Sequence, residues 1–236
     1  MKISIVFPIH NEYENLKQLI KEWDDELRKL KEYSFEFVLV EDGSTDGTKE
    51  LIKDIEKIYP ILNLSSKKKR GYTKAVLDGI YSSSGNYILC TDSDNQIKVN
   101  SLIENIQNLP RDQSFLIGFR NPRKDSLNRI IYSKLFKILH NMLFNSKLKD
   151  PSCPFVIGQK ETFELLPKDL LNMMTEGFWW GFVAICKKKN INLKEVPILH
   201  YKRKKGFASY GLASLPGIIV RNVFGLLKIK FSKINF

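Results

Sequence analysis

The sequence predicts an α/β fold in which helices flank a mostly parallel sheet. Short apolar runs of strand length alternate with longer segments whose apolar residues recur at helical spacing. This alternation is typical of parallel sheets that are covered on both faces. The chain has 236 residues, of which 43% are hydrophobic and 27% charged. A chain of this length and composition can bury a large core, and it is neither disordered nor collagen-like.

The first half of the chain carries the regular alternation. Residues 3–7 form a β-branched apolar run, and residues 16–30 carry Leu, Ile and Trp three or four positions apart. These two patterns predict a buried strand and an amphipathic helix. The same patterns recur along the chain and predict strands at 35–40, 61–64 and 87–91 and helices at 48–58, after a glycine-flanked turn, and 71–83.

The alternation continues to residue 120 and then weakens. By the same criteria we predict a helix at 99–109, a strand at 114–118, a long helix at 126–144, a strand at 153–157, a helix at 178–188 and a strand at 192–200. We therefore predict one domain over residues 1–210, with a change of role near residue 120.

Positive charge is concentrated at the C-terminal end. The net charge is +12, and nine basic residues against one acidic residue from Lys194 onward account for +8 of it. Such an end indicates an anionic partner: nucleic acid, a phosphorylated ligand or an anionic membrane. Residues 211–236 are apolar with interspersed Lys and Arg, and their uncharged stretches are shorter than the ~20 residues that span a bilayer. We predict an amphipathic helix at a membrane surface, with a helix docked on the domain's own core as the alternative.

The cysteines and the N-terminus predict a cytoplasmic protein. The three cysteines are far apart and form no CxxC or zinc spacing, as expected in a reducing compartment. The first apolar run is too short for a signal peptide. Together with the C-terminal segment, these features predict a peripheral protein on the inner face of the cell membrane.

Polar segments follow three of the predicted strands. They are PIHNE at 8–12, EDGSTDG at 41–47 and DSDNQ at 92–96. Ligands of parallel α/β sheets bind at the carboxyl ends of the strands, so we expect the three segments to meet at one edge. Asp92 and Asp94 lie two positions apart and would point the same way in extended chain. Paired carboxylates favour Mg²⁺ or Mn²⁺, often together with substrate phosphates, whereas the alternative is that Asp94 only caps a helix.

Several other enzyme classes lack their signatures in this chain. No GxGxxG follows the first strand, and neither GxxxxGK[ST] nor GxSxG occurs. These absences argue against a dinucleotide-binding dehydrogenase, a P-loop NTPase and a serine hydrolase of the nucleophile-elbow type.

Seven motifs carry a resemblance to a known family. FPIHNE, VEDGSTDGT and TDSDNQ resemble the nucleotide-sugar-binding half of the inverting family 2 glycosyltransferases with the GT-A fold, especially the dolichol-phosphate mannose synthase-like branch. RGYTKAVLDGI, SCPFVIGQKE, EGFWWGF and VPILHYKRKKG resemble further segments of that branch. The resemblance covers residues 3–210. It implies a nucleoside-diphosphate sugar donor, inversion and a divalent metal, with a donor half at 1–120 and an acceptor half at 121–210, followed by the basic amphipathic segment at 211–236.

The resemblance also implies which residues bind the donor. Pro8, His10 and Glu12 would line the nucleoside pocket, and Asp42 would accept hydrogen bonds from the base or the ribose. Arg70, which opens RGYTKAVLDGI, belongs to the same donor-binding set.

A second set of residues is implied at the reacting end of the donor. Asp92 and Asp94 would hold Mg²⁺ or Mn²⁺ on the diphosphate. Gln96 would face the sugar or the acceptor. Arg203 would close over the diphosphate, with Gly206 as the pivot of its loop, because a guanidinium meets phosphate oxygens as a bidentate fork.

The chain departs from the branch at three positions: Thr73 replaces a frequent Gly, Ala208 a Ser or Thr, and Gly181 an acidic residue. A hydroxyl acceptor needs a base, whereas a phosphate monoester is already anionic. Since Gly181 lacks the carboxylate, we predict a polyprenyl phosphate acceptor. A saccharide or other hydroxyl acceptor is the alternative, in which the base would lie elsewhere, for instance at Glu176.

Two readings from other classes compete with transfer. A nucleic-acid-binding protein would use the C-terminal basic patch and its aromatic residues, but this leaves the three acidic segments unexplained. A sugar nucleotidyltransferase would carry a Gly-rich basic loop after the first strand, where this chain has PIHNE. We therefore predict no nucleic-acid partner.

Overall fold

The strand-length apolar runs pair into one seven-stranded sheet in the computed structural model. The structure describes residues 1–167, 169, 173–174, 177–203 and 215–233. The strands are β1 (Lys2–Ile9), β2 (Ser34–Asp42), β3 (Ile61–Ser66), β4 (Tyr87–Thr91), β5 (Ser114–Arg120), β6 (Phe155–Gln159) and β7 (Asn192–Ile198). Their order across the sheet is β3-β2-β1-β4-β6-β5-β7.

Eight α-helices connect or follow these strands in the described part of the chain. They are α1 (Tyr13–Leu27), α2 (Thr48–Glu56), α3 (Tyr72–Ser82), α4 (Asn100–Ile103), α5 (Leu127–Phe144), α6 (Lys160–Glu164), α7 (Phe178–Lys188) and α8 (Leu215–Phe231). The predicted α/β architecture is therefore confirmed.

The sheet is parallel except at β6. β1 pairs in parallel with β2 and β4, β2 with β3, and β5 with β7. β6 lies between β4 and β5 and is antiparallel to both. Since two reversals restore the direction, β5 and β7 run the same way as β4. The carboxyl ends of six strands therefore meet at one edge of the sheet.

Both faces of the sheet are buried, which explains why the strands are apolar without interruption. One face carries Val6, Val38 and Ile88 and packs on α3, α5, α7 and α8. The other face carries Ile5 and Leu39, and its core includes the apolar side of α1. Successive residues of a strand point to opposite faces, so one strand supplies both cores.

The helix predicted at 99–109 is shorter than expected. It is α4, followed by a separate 3₁₀ turn at Ile106–Asn108. Asn105 separates the two, and its side-chain Nδ2 donates to the Ser101 carbonyl oxygen at 2.9 Å. Asn side chains compete in this way with backbone hydrogen bonding, which favours ending a helix.

The C-terminal helix α8 is docked on one face and exposed on the other. Leu226 and Ile229 are fully buried against the core that includes α7, whereas Phe224 is 62% exposed and Phe231 80% exposed. Lys188 of α7 donates to the carbonyl oxygen of Ile229 at 2.7 Å. The core-docked alternative is therefore right for one face, and the predicted amphipathic character is right for the helix as a whole.

The domain boundary predicted at residue 210 lies outside the described residues, so it stays a prediction. α8 shares a core with residues of the predicted acceptor half. Within the described ranges, none of the helices combines the length and the hydrophobicity that crossing a bilayer requires.

Candidate active site

The three polar segments meet at the carboxyl edge of the sheet, around a cavity of about 370 Å³. Eight of the nine residues that the sequence nominated for donor binding and catalysis lie in the wall of this cavity. They are Pro8, His10, Glu12, Asp42, Asp92, Asp94, Gln96 and Arg203. Convergence at the ends of parallel strands was the basis of the prediction, and the geometry agrees with it.

Arg70 is the nominated residue that does not line the cavity. Its Nη1 lies 2.7 Å from Asp78 Oδ2. Its guanidinium is therefore paired with a carboxylate of α3, the helix that follows it in the chain. Lys69 lines the cavity instead. The role of Arg70 in donor binding therefore stays a prediction that this placement does not favour.

Asp42, at the end of β2, holds the loop before α3. Its Oδ1 and Oδ2 accept hydrogen bonds from the backbone N–H groups of Arg70 and Gly71, both at 2.8 Å. Gly71 has φ +102°, a conformation that favours glycine. The predicted contact of Asp42 with a base or a ribose would use the lone pairs that these two bonds leave.

The first two nominated residues lie at the end of β1. The carbonyl oxygen of Pro8 accepts a hydrogen bond from Ser93 Oγ at 2.8 Å, which ties β1 to the loop after β4. Burial and then Lys69 lower the pKa of His10. Its Nδ1 is buried and has no hydrogen-bond partner among the described residues, so a ligand group would satisfy it.

An ion pair joins the first polar segment to the last. Arg203 Nη2 donates to Glu12 Oε1 at 2.5 Å, and its Nη1 lies 3.6 Å from Asp94 Oδ2. Glu12 also accepts from Asn15 Nδ2 at 2.7 Å. Burial raises the pKa of Glu12, and the bonds from Asn15 and Arg203 oppose that rise. Glu12 therefore holds Arg203 over the cavity, a role that the sequence did not suggest.

Asp92 and Asp94 are two partly buried carboxylates close together. Burial and then the charge of Asp94 raise the pKa of Asp92 to about 7. Burial raises the pKa of Asp94 as well. Crowded carboxylates of this kind are stabilised by a cation.

The donor set fits Mg²⁺ or Mn²⁺ bound together with a substrate. Among the described residues, no cluster of three or more His, Cys, Asp or Glu side chains is placed to hold a metal. The protein would thus supply the two carboxylates, and the remaining oxygen ligands would come from the diphosphate and water. This division is usual for Mg²⁺ with nucleotide substrates.

Gln96 ties the metal-side loop to the segment that carries Arg203. Its Nε2 donates to the carbonyl oxygen of Tyr201 at 2.8 Å, and the Tyr201 N–H donates back to the Gln96 carbonyl oxygen at 2.9 Å. Its own N–H donates to Asp94 Oδ1 at 3.1 Å. Gln96 lines the cavity as predicted, but its amide N–H₂ already has a protein partner.

The sequence missed a tyrosine that contacts the metal side. Tyr72, the first residue of α3, donates from its hydroxyl to Asp92 Oδ1 at 2.7 Å. Trp179 Nε1 of α7 donates to the Tyr72 hydroxyl oxygen at 2.8 Å. Both residues lie in motifs quoted above, but they are 107 positions apart in the sequence. No local pattern therefore indicates that they contact each other.

The sequence also missed a basic cluster in the wall of the cavity. We call it the guanidinium cluster: Arg120 at the end of β5, Arg123 in the following loop and Arg129 on α5, with Asp125 and Asp150. Three guanidinium groups against two carboxylates leave a net charge of +1. The available signal was the run of basic residues directly after a strand that ends at the same edge.

The carboxylates of this cluster are held ionised. Arg120 Nε and Nη2 donate to Asp150 at 2.6 and 2.9 Å. Burial favours the neutral form of Asp150, but Arg120 outweighs it and the pKa falls to about 2. Burial also favours the neutral form of Asp125, but the charge of Arg123 outweighs burial and the pKa of Asp125 is lowered. Asp125 is therefore a weak base.

An apolar part of the cavity wall comes from three helices. Phe136 of α5, Trp179 and Trp180 of α7 and Ile218 of α8 contribute to it. His140 joins two of these helices, because its Nε2 lies 3.0 Å from the Trp180 carbonyl oxygen. The cavity is thus lined by polar residues at the carboxyl ends of the strands and by apolar residues from α5, α7 and α8.

Gly181 does not face this cavity. A Cβ built on it would lie 2.3 Å from Met174 Cγ and 3.4 Å from Ile229 Cδ1, toward α8. The inference that Gly181 deprives the site of a base was therefore wrong in its geometry, because an acidic side chain there would have pointed into packed apolar groups. Glu176, Gly206 and Ala208, also considered from the sequence, lie outside the described residues.

Comparison with known proteins adds family and fold. The family profile described as "Glycosyl transferase family 2" matches residues 4–166. A dolichol-phosphate mannosyltransferase of Pyrococcus furiosus is 29% identical over 213 residues, covering 87% of this chain and 58% of that protein. A dolichyl-phosphate beta-glucosyltransferase of Dictyostelium discoideum is 27% identical over 217 residues, covering 83% of this chain and 65% of that protein. The chain thus spans about three fifths of the length of these curated relatives.

Solved structures confirm the predicted glycosyltransferase fold. The glucosyl-3-phosphoglycerate synthase of Mycobacterium tuberculosis, in complex with Mn²⁺, UDP-glucose and phosphoglyceric acid, superposes with a TM-score of 0.70 at 15% identity, over 99% of this chain and 81% of that one. The mannosyl-3-phosphoglycerate synthase of Rubrobacter xylanophilus gives 0.65 at 14% identity, over 97% and 73%. At these identities the likeness concerns the fold alone.

Two histidines at this site should stay neutral down to acidic pH. Burial lowers the pKa of His140 and of His200 to about 4, and Arg120 contributes at His200. The unfolded chain binds these protons near pH 6.5, so the folded state loses stability as the pH falls from about 6.5 to about 4. NMR titration of the imidazole protons, with thermal unfolding across the same range, measures both effects. A midpoint above pH 6 for His140 would contradict the prediction.

Proposed function

The chain belongs to glycosyl transferase family 2, and we propose that it transfers a sugar, with inversion, from a nucleoside-diphosphate sugar to a polyprenyl phosphate. One observation carries the proposal. The carboxylate pair Asp92 and Asp94 and the guanidinium groups of the cluster line one cavity, together with apolar side chains from α5, α7 and α8. A metal-bound diphosphate suits the carboxylates, and an anionic acceptor with a hydrocarbon tail suits the guanidinium groups and the apolar wall.

The carboxylate pair is suited to stabilising a leaving diphosphate. Asp92 and Asp94 would hold Mg²⁺ or Mn²⁺, which when bound neutralises the charge that develops on the leaving group. Arg203 adds a guanidinium at the same place, positioned by Glu12 and by the Gln96–Tyr201 hydrogen bonds. The Mn²⁺ and UDP-glucose named for the mycobacterial structure support this choice of metal and donor class.

The guanidinium cluster favours a phosphate over a neutral hydroxyl. The net charge of +1 in the guanidinium cluster attracts an anion, and a guanidinium binds phosphate oxygens in a bidentate fork. Asp125, the carboxylate of this cluster that lines the cavity, is held ionised by Arg123 and Arg129 and is a weak base. An acceptor that brings its own negative charge needs no base.

The named relatives support a lipid acceptor. Two of them are described as transferring mannose or glucose to dolichol phosphate. The wall formed by Phe136, Trp179, Trp180 and Ile218 would shelter the first isoprenoid units. Since the guanidinium cluster lies beside this wall, a phosphate head and an apolar tail would fit together.

Membrane association follows from two exposed apolar stripes. α5 exposes a stripe with four- and three-residue spacing, formed by Leu127, Ile131, Leu135, Ile138 and Met142. α8 exposes a shorter stripe formed by Val220, Phe224 and Phe231. Exposed Lys134 and Lys228 flank these stripes, as expected for helices that lie on anionic lipid. We place the protein peripherally on the cytoplasmic face of the membrane, with the acceptor entering between α5 and α8.

Substituting either metal carboxylate should abolish metal-dependent donor binding. Asp92→Asn and Asp94→Asn keep the size of the side chain and one oxygen acceptor while removing the charge, so the fold should persist. A thermal-shift panel of nucleoside-diphosphate sugars with Mn²⁺ measures this, because a ligand at a hundredfold excess over Kd stabilises by about 2.7 kcal/mol. Asp54→Asn, on the exposed face of α2, is the matched control. Wild-type-like stabilisation of either site variant would refute the metal assignment.

Arg123→Gln and Arg129→Gln should each lower transfer to undecaprenyl or dolichyl phosphate while donor binding persists. A hydrogen bond to a charged group contributes about 1.5–3 kcal/mol, or roughly ten- to a hundredfold in rate. Transfer of labelled sugar is measured beside a panel of oligosaccharides. Arg28→Gln, which changes an exposed side chain just after α1, serves as the control. Transfer to an oligosaccharide but to neither lipid would establish the hydroxyl-acceptor alternative.

Leu135→Glu and Phe224→Glu should each weaken binding to anionic vesicles by about tenfold or more, since burying such a side chain contributes ~1.5–3 kcal/mol. Sedimentation with vesicles at two salt concentrations measures the effect, and higher salt should weaken wild-type binding. Deleting α8 is a poorer test because it would take Leu226 and Ile229 out of the core and uncover the side chains of α7 that α8 covers. Ile58→Glu, which changes a side chain 66% exposed after α2, is the control. If Ile58→Glu weakens binding as much as the stripe variants, the stripes are not the docking surface.

A further inference from the structure

Two hydrogen bonds link α7 to the carboxylate after β4. Trp179 Nε1 donates to the Tyr72 hydroxyl oxygen at 2.8 Å, and Tyr72 donates to Asp92 Oδ1 at 2.7 Å. Among the described residues, Tyr72 is the hydrogen-bond donor to this carboxylate. The link crosses from the acceptor half of the domain to the donor half.

The chemistry of the three groups fixes the direction of both bonds. An indole N–H can only donate, so the Tyr72 oxygen must accept from Trp179. The single hydroxyl proton of Tyr72 then points at Asp92 Oδ1, which accepts it. A phenol carries its proton at neutral pH. Tyr72 is held as a one-way donor.

We propose that Tyr72 is a positioning residue for the metal carboxylate Asp92, and that Trp179 acts through Tyr72 by fixing the direction of its hydroxyl. Engaging Oδ1 orients the carboxylate and leaves Oδ2 for the cation. Outer hydrogen bonds of this kind orient metal ligands and contribute to metal affinity. The proposal rests on the metal-dependent donor binding proposed above and adds residues that this binding requires.

The two metal carboxylates have different partners: a cationic guanidinium lies near Asp94, whereas a neutral phenol donates to Asp92. Asp94 lies 3.6 Å from the Arg203 guanidinium, a cation that would compete with the metal for the same oxygens. Asp92 is instead held by a phenol, which stabilises the anion without adding positive charge. A cation therefore meets one carboxylate that is oriented by a neutral donor.

The link also places the carboxylate under the control of α7. Trp179 lines the apolar side of the cavity and packs edge-on against Phe178 and Phe182, at ring-centroid distances of 4.8 and 5.6 Å. Its N–H is thus held by the same packing that forms the acceptor-side wall. Any shift of that wall would reach Asp92 through Tyr72.

The test is the affinity for Mn²⁺ in the presence of UDP and, in parallel, GDP, measured from the electron paramagnetic resonance signal of free Mn²⁺. Tyr72→Phe keeps the ring and removes only the hydroxyl. It should weaken Mn²⁺ binding by roughly 10- to 100-fold, the usual cost of losing such an outer contact. Trp179→Phe should weaken it less, and the double variant should be no weaker than Tyr72→Phe alone, because Trp179 acts only through Tyr72.

Tyr87→Phe is the matched control. It removes a buried hydroxyl that donates to the Pro110 carbonyl oxygen at 2.7 Å, away from the cavity, and should leave Mn²⁺ affinity unchanged. Melting temperatures of all variants are recorded, and Trp179→Phe carries the test should Tyr72→Phe fail to fold.

The outcomes separate this inference from the proposed function. If the wild-type protein binds no Mn²⁺ with either nucleotide, the metal-dependent function itself fails. If the wild type binds Mn²⁺ and Tyr72→Phe binds it equally well, the positioning role is overturned while the proposed function stands. Losses that multiply in the double variant would overturn the claim that Trp179 acts through Tyr72.

Discussion

The burial of Asp92 and Asp94 side by side is the constraint on which the rest of the site depends. Burial raises the pKa of both carboxyl groups, and the charge of Asp94 adds to the rise at Asp92, so the folded chain must compensate for two crowded negative charges. It does so with a phenol on Asp92 and with a backbone N–H and a guanidinium on Asp94. This compensation is partial, which leaves the pair suited to a divalent cation.

The single reversed strand explains how the acidic pair and the guanidinium cluster come to lie at one edge of the sheet. β6 separates β4 from β5 and is antiparallel to both, so β4, β5 and β7 all end at the same edge. Asp92 follows β4, Arg120 ends β5, and Arg203 lies just beyond β7. The acidic pair and the basic cluster therefore line one cavity, although they come from distant parts of the chain.

α8 belongs to the site because it helps to close the cavity. α8 buries Leu226 and Ile229 on the core and contributes Ile218 to the apolar wall. Its opposite face keeps apolar side chains in contact with solvent, as does α5. A soluble surface would favour polar residues at such positions, so these two helices combine core packing with an outer face suited to lipid.

The sequence by itself determined the elements, the edge at which they act and eight of the residues that line the cavity. These features are local: strand and helix periodicity records which side of each element is buried, and parallel strands place their following loops together. Only the tertiary structure decided the partners: Glu12 with Arg203 across 191 positions, Tyr72 with Trp179 across 107, and the guanidinium cluster around Asp125. It also showed that Gly181 faces α8 and that Gln96 is bound to Tyr201. The physical reason is that a one-dimensional pattern encodes burial, whereas the partner of a buried polar group depends on how distant elements pack.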